Sequence, residues 1–407
     1  MSAAKTAPAQ ATSFKLDEIQ TALKELHLDG WLFYFFRDND SLARSILKFP
    51  EIHSTRRWFY FIPKEGEPQK LVHRIEMGQL DHLPGNRIVY LGWRELEQSL
   101  LCVLKGAKKI AMQYSPRNSV PYISRVDAGT VELVESNGAK VVSSADLVQL
   151  FEARWSEEQF QGHLQSVESL RKIVFEGFAE IKRCIESGVA IDEYVIQQFI
   201  VQAYERYGME SDSPPIVAVN GNAGNPHYQP TETVHKPISK GDFVLFDIWA
   251  KLKNPKDAVY ADITWTGFVG DSVPQKYEDI FQIVAGARDA AVEYVKEARQ
   301  RGQSIKGSEV DDVSRNFIAS RGYGEFFVHR TGHSIGAEHV HGNGANIDNL
   351  ETSDDRTLIS RTAFSIEPGI YLEEFGVRSE IDVYLCDDEV IVGGQPIQTT
   401  VIPILAS

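Results

Sequence analysis

Along residues 16–142 the apolar positions alternate between two spacings. Leu16, Ile19, Leu23 and Leu26 recur at helical intervals. Gly30 stops that pattern, and the apolar run at 31–36 predicts a strand buried on both faces. Residues 58–62 and 69–72 read as strands joined by Lys64-Glu-Gly-Glu-Pro68 as a hairpin turn, and 87–91 and 109–113 predict two more short strands. The pattern predicts a mixed α/β domain over 14–153. Residues 1–13, rich in Ala, Thr, Pro and Gln without an apolar core segment, predict a disordered tail.

A second rhythm starts near Ala153. Ser156-Glu-Glu-Gln159 has the residues of a capping box and predicts a helix running to about Glu186, ended by Gly188. Asp192 then caps a second helix through about Arg206. Two strands later the pair returns: a long helix from Pro274 to about Arg301, and another opened by Ser308-Glu-Val-Asp311 and closed at Arg321-Gly-Tyr-Gly324. The repetition suggests an internal duplication over 154–407 with a site between its halves, against two unrelated helical hairpins, since helix ends reuse few residue types.

Charge narrows the function classes. Asp and Glu outnumber Lys and Arg by 57 to 42, a formal net charge of -15, so a nucleic-acid backbone is repelled on average. No apolar run reaches the roughly 20 residues of a membrane helix. Cys102, Cys184 and Cys386 are too scattered for a disulfide framework or a metal knuckle, and the chain reads as cytoplasmic. Of the 11 histidines, His329, His333, His339 and His341 share one short segment.

Acids inside apolar strands carry the strongest chemical signal. Asp247 lies mid-strand in Asp242-Phe-Val-Leu-Phe-Asp-Ile-Trp-Ala250, and Asp262 in Tyr260-Ala-Asp-Ile-Thr-Trp-Thr-Gly267. With Asn254-Pro-Lys-Asp257 as the turn, the two strands are antiparallel neighbours whose carboxylates face one point. Glu367 ends a third apolar strand, and Arg378 and Glu380 share a fourth within 375–385. A single such acid is ordinarily a salt bridge, but four of them beside a histidine cluster point to metal, because an unpaired buried carboxylate costs several kcal/mol. Four carboxylates and one imidazole offset two divalent ions, and their oxygen-rich character favours Mn, Co, Fe or Zn over copper. Two such ions activate water and polarise a carbonyl, the equipment of a dinuclear metallohydrolase.

Competing motifs fail on their chemistry. Gly332-His-Ser-Ile-Gly336 matches the serine nucleophile elbow, but no histidine lies far enough beyond Ser334 to serve as its base. His329-Arg-Thr-Gly-His333 lacks the Glu of a zincin helix, and Gly221-Asn-Ala-Gly224 lacks the Lys-Ser/Thr of a phosphate loop. His53, His73, His82, His163 and His235 join no constellation.

Five ordered motifs, Phe246-Asp-Ile-Trp249, Ala261-Asp-Ile-Thr-Trp-Thr-Gly267, His329-Arg-Thr-Gly-His-Ser-Ile-Gly336, Ile366-Glu-Pro-Gly-Ile-Tyr371 and Gly376-Val-Arg-Ser-Glu380, resemble the creatinase, prolidase and aminopeptidase P group of pita-bread metallopeptidases. The resemblance spans about 14–405. It implies an α/β two-domain protein: a creatinase-type mixed α/β N-terminal domain, and a C-terminal α+β pita-bread domain with pseudo-two-fold duplication. It implies that Asp247 holds one metal, His333 and Glu367 the other, and Asp262 and Glu380 bridge both. The implied cofactor is two divalent ions, manganese first, with cobalt, zinc or iron as alternatives. Glu367 matches the proton shuttle, Arg378 the arginine that orients the metal-bound acids, His227 a substrate-side histidine, and His329 the one that steadies the tetrahedral intermediate. His341 matches a further substrate-side histidine less closely, leaving His339 as its alternative. The N-terminal domain separates the chain from methionine aminopeptidases and implies a homodimer. The implied reaction is cleavage before proline, by an Xaa-Pro aminopeptidase or, alternatively, a dipeptidase; a non-catalytic scaffold is the third reading. Trp249, Trp265, Ser379 and an insertion around 254–257 depart from the group's pattern.

Overall fold

The computed structural model describes residues 14–49, 54–136 and 138–406; the expected tail at 1–13 lies outside them. The chain divides into two compact units, Met1–Glu152 and Ala153–Ser407. Among the described residues no helix is long and apolar enough to cross a membrane.

The first unit is a six-stranded sheet built from β1 (Gly30–Phe35), β2 (Trp58–Pro63), β3 (Gln69–His73), β4 (Asn86–Tyr90), β5 (Lys109–Met112) and β6 (Lys140–Ser143), in the order β4-β3-β2-β1-β5-β6. Its helices are α1 (Leu16–Glu25), α2 (Ser41–Ile46), α3 (Trp93–Val103), α4 (Ala128–Glu135) and the short α5 (Ala145–Val148). Strand β1 is apolar at almost every position because both faces are covered. Trp31, Phe33 and Phe35 pack with α1 and α2, whereas Leu32 and Tyr34 pack with α3 and α4. Gly30 begins β1 instead of ending α1, which stops at Glu25; a Cβ there would come within 2.3 Å of the Phe61 ring.

The second unit opens with α6 (Glu157–Ser187) and α7 (Glu193–Arg206). Both halves of the capping box form: the Gln159 amide donates to Ser156 Oγ at 3.2 Å, and the Ser156 amide to Gln159 Oε1 at 2.9 Å. Next come β7 (Met209–Glu210), β8 (Ile216–Val219), β9 (Phe243–Leu252) and β10 (Ala261–Phe268), then α8 (Gln275–Gln300) and α9 (Gly307–Ala319). Helix α9 starts one residue before the expected Ser308. The Glu309 carboxylate accepts the Lys306 amide at 2.8 Å, and Gly307 fits where a Cβ would lie 1.8 Å from the Asn346 carbonyl. Five short strands follow: β11 (Ala363–Ile366), β12 (Gly369–Tyr371), β13 (Gly376–Arg378), β14 (Ile381–Leu385) and β15 (Val390–Val392), with β16 (Ile402–Pro403) closing the chain against β10.

Strands β9 and β10 sort their residues by parity. Phe246, Ile248, Ala250, Ile263 and Trp265 join the core beneath α6 and α7. Asp247, Trp249, Asp262, Thr264 and Thr266 take the opposite face. The register pairs Asp247 with Thr264 and Trp249 with Asp262, so the two aspartates are diagonal neighbours on one face. The single strand expected over 375–385 is split: β13 pairs with β12 and β14 with β11, and Glu380 falls in the break between them.

Candidate metal centre

Each half of the second unit delivers two acids. Asp247 and Asp262 come from β9 and β10, Glu367 from the end of β11, and Glu380 from the β13–β14 break, which lets its side chain leave the sheet edge toward β10. There Thr264 Oγ1 donates to Glu380 Oε2 at 2.8 Å. His333 arrives on a segment laid beside β11: Ser365 N–H donates to the His333 carbonyl at 2.8 Å, and Glu367 N–H to the Thr331 carbonyl at 2.7 Å. Ligand atoms of Asp262, His333 and Glu380 converge within 4.8 Å of one another, all three side chains buried. His333 Nε2 lies 3.5 Å from Asp262 Oδ2 and 3.6 Å from Glu367 Oε1.

The electrostatics are those of a site built around cations. Burial, then the charges of Glu380 and Asp247, push the Asp262 carboxyl well above its usual range. Burial and Glu367 do the same to Glu380. Burial pushes Glu367 up to about 7 despite the Arg378 charge. Arg378 pairs with Asp247, approaches Glu367 at 3.8 Å and donates to Thr264 Oγ1 at 3.1 Å. One guanidinium does not satisfy four acids: Asp262 Oδ1 and Glu380 Oε1 are buried with no hydrogen-bond donor. A divalent ion would supply what those oxygens lack, and the mixed carboxylate and imidazole donors suit Mn, Co, Fe or Zn. Burial holds His333 well below its ordinary range, hence neutral. Its Nδ1 faces the Ser334 carbonyl at 3.0 Å and so carries the proton, leaving the Nε2 lone pair toward the acids.

The other expected residues take distinct positions. His329 is held neutral by burial, its pKa lowered to about 3. Its Nδ1 faces the Arg330 carbonyl at 2.7 Å and must donate, so its Nε2 accepts from the Tyr371 hydroxyl at 2.6 Å. Arg378 Nη1 donates to the same hydroxyl oxygen at 3.1 Å. The His341 ring packs 4.1 Å from that of His333. His339 is exposed and faces Asp212 at 3.3 Å. His227 is exposed in the loop after the turn at Asn220–Gly224, its amide donating to Asn225 Oδ1.

Three supports escaped the sequence reading. Thr264 follows Asp262 at strand period and ties Arg378 to Glu380. Tyr371 ties His329 to Arg378. Asp382, fully buried, accepts the Asp262 amide at 2.9 Å and faces His163 Nε2 at 3.7 Å, while His163 Nδ1 donates to the Tyr260 carbonyl. Signals for the last pair existed: Asp382 is another acid in an apolar strand, and His163 interrupts the apolar stripe Phe160, Val167, Leu170 and Val174 of α6.

Comparison with known proteins places the chain in a family. The model of metallopeptidase family M24 matches residues 166–387, more than half of the chain, and the protein belongs to that family. YkvY of Bacillus subtilis (strain 168), provisionally named a dipeptidase, is 27% identical over 337 residues, 81% of this chain and 84% of that protein. The Xaa-Pro dipeptidase of Lactobacillus helveticus is 35% identical over 173 residues, 42% of either chain, so the match spans less than half its length. The prolidase from Thermococcus sibiricus superposes with a TM-score of 0.60 at 23% identity, over 97% of this chain and 100% of that one. The fold is that of prolidases and aminopeptidases P, with an N-terminal domain and a C-terminal pita-bread domain.

Proposed function

We propose that the protein is a dinuclear metal-dependent exopeptidase that hydrolyses the bond before proline, an Xaa-Pro aminopeptidase. The observation that carries this reading is the buried convergence of Asp262, His333 and Glu380 within 4.8 Å, with one donorless oxygen on each acid. Asp262 and Glu380 would bridge two ions, Asp247 would hold one of them, and His333 and Glu367 the other, manganese being the first candidate. When bound, such ions supply an activated water and polarise the scissile carbonyl. Glu367 would move the proton from attacking water to leaving nitrogen. Arg378 fixes Asp247 and aligns Tyr371. His329, His341 and His227 bind substrate. To touch it, His329 must exchange its hydrogen bond from Tyr371 for one to the peptide.

A second reading, a dipeptidase restricted to Xaa-Pro, is favoured by the names of YkvY and of the Lactobacillus relative. Incubating Mn- or Co-loaded protein with an Xaa-Pro dipeptide and an Xaa-Pro-Xaa tripeptide separates the two. Cleavage of the tripeptide supports the aminopeptidase, cleavage of the dipeptide alone the dipeptidase, and cleavage of neither overturns both. A cytoplasmic location, consistent with three free thiols, and a homodimer belong to the same proposal; sedimentation as a monomer would remove the homodimer from it.

A further inference from the structure

Trp249 is the residue on the metal-bearing face of β9 that the centre itself does not use. It lies two residues beyond Asp247, and its Cα pairs with that of Asp262, so its half-buried indole emerges beside the bridging acid. The indole N–H donates to Asp212 Oδ1 at 3.2 Å, which fixes the plane of the ring. The other Asp212 oxygen faces His339 Nδ1 at 3.3 Å; the His339 side chain is 69% exposed and that of Asp212 30%. The ring packs against two buried apolar clusters, one that includes Ile216 and Leu245 and one that includes Tyr260 and Ile335. His339 is two residues before His341, whose ring packs against that of His333. The indole, on the same face of β9 as Asp247 and in register with Asp262, and the Asp212 carboxylate it holds thus form an aromatic face and an acceptor beside the centre. A cation over an indole is attracted to the ring's negative face, and a carboxylate adds a charge-assisted hydrogen bond.

We propose that Trp249 and Asp212 form a specificity pocket for a cationic side chain, that of lysine or arginine, on the residue preceding proline. His339 is the counter-group the incoming cation displaces. The inference rests on the Xaa-Pro reading: the proline side chain carries no charge, so in such a dipeptide the only cations are the α-ammonium and the side chain of the preceding residue. Lysyl-proline and norleucyl-proline differ only in the terminal ammonium. The wild-type protein is expected to prefer lysyl-proline in kcat/KM by about tenfold, and Asp212→Asn and Trp249→Leu to bring that ratio close to one. An unchanged ratio in Asp212→Asn overturns the proposal. So does an equal loss on both substrates, which would assign Asp212 to the α-ammonium they share. Calorimetric binding of lysine amide and norleucine amide to the metal-loaded protein gives a reading independent of turnover. Tighter lysine amide binding that Asp212→Asn abolishes keeps the pocket even if no Xaa-Pro peptide is cleaved, in which case only the peptidase reading falls. Equal binding of the two amides removes the pocket.

Discussion

Tyr371 governs what His329 can do. Its hydroxyl donates to Nε2 while the Arg330 carbonyl takes the proton of Nδ1, so neither ring nitrogen is free until Tyr371 lets go. The same hydroxyl oxygen accepts from Arg378, which also holds Asp247, so the imidazole and the metal-side acids share one hydrogen-bonded chain. Removing the imidazole and removing the hydroxyl therefore have separable effects. His329→Ala is expected to lower kcat by about 10²- to 10⁴-fold with metal content unchanged. Tyr371→Phe is expected to cost less, because the imidazole proposed to bind substrate survives. Single-turnover rates beside metal analysis check both; loss of metal from His329→Ala would make this residue a support of the centre and not a partner of the substrate.

At the scale of elements, the centre depends on how closely the His333 segment approaches β11. A Cβ on Gly332 would lie 1.9 Å from the Ser365 carbonyl oxygen, so only glycine lets His333 reach Glu367. Gly332→Ala forces the two segments apart and is expected to cost about 1–3 kcal/mol of stability and to weaken metal binding. Ser156→Ala, which removes the cap of α6, is expected to cost about 1 kcal/mol with metal affinity intact. Denaturant titrations paired with metal titrations compare the two, and full metal affinity in Gly332→Ala would refute the close-approach argument. The same contrast explains what could be read from the sequence. The α6 cap is local, with donor and acceptor three residues apart, and strand parity placed Asp247 and Asp262 on one face. The start of α9 and the split at Glu380 were set by contacts distant in sequence, Gly307 against Asn346 and Glu380 against Thr264. Tyr371 and Thr264 were hidden for a related reason: a hydroxyl shows its role only once its partner from another strand is beside it.

In the whole molecule, folding brings together four acids, two from each half of the second unit, against the single charge of Arg378. Without divalent ions this arrangement works against the native state. Burial raises Glu367 from 4.5 to about 7, and burial with mutual repulsion raises Asp262 and Glu380 as well. A carboxyl whose pKa is raised by folding binds more protons in the folded chain than in the unfolded one. Its stabilising contribution is therefore complete below about 4.5 and is lost as pH rises through the folded value. Metal reverses the sign, because the ions replace those protons and bind more tightly as the acids ionise. A ligand at about 100 times its Kd adds about 2.7 kcal/mol to stability. Groups away from the centre are common to both samples, so the difference between loaded and chelated protein isolates the centre. The gap in Tm between Mn-loaded and chelated protein is expected to widen from about pH 5 to about pH 8, mainly because the chelated form weakens over that range while the loaded form gains. Scanning calorimetry at a fixed excess of metal measures it, and a gap that narrows with rising pH would mean that these four acids do not form the metal-binding set.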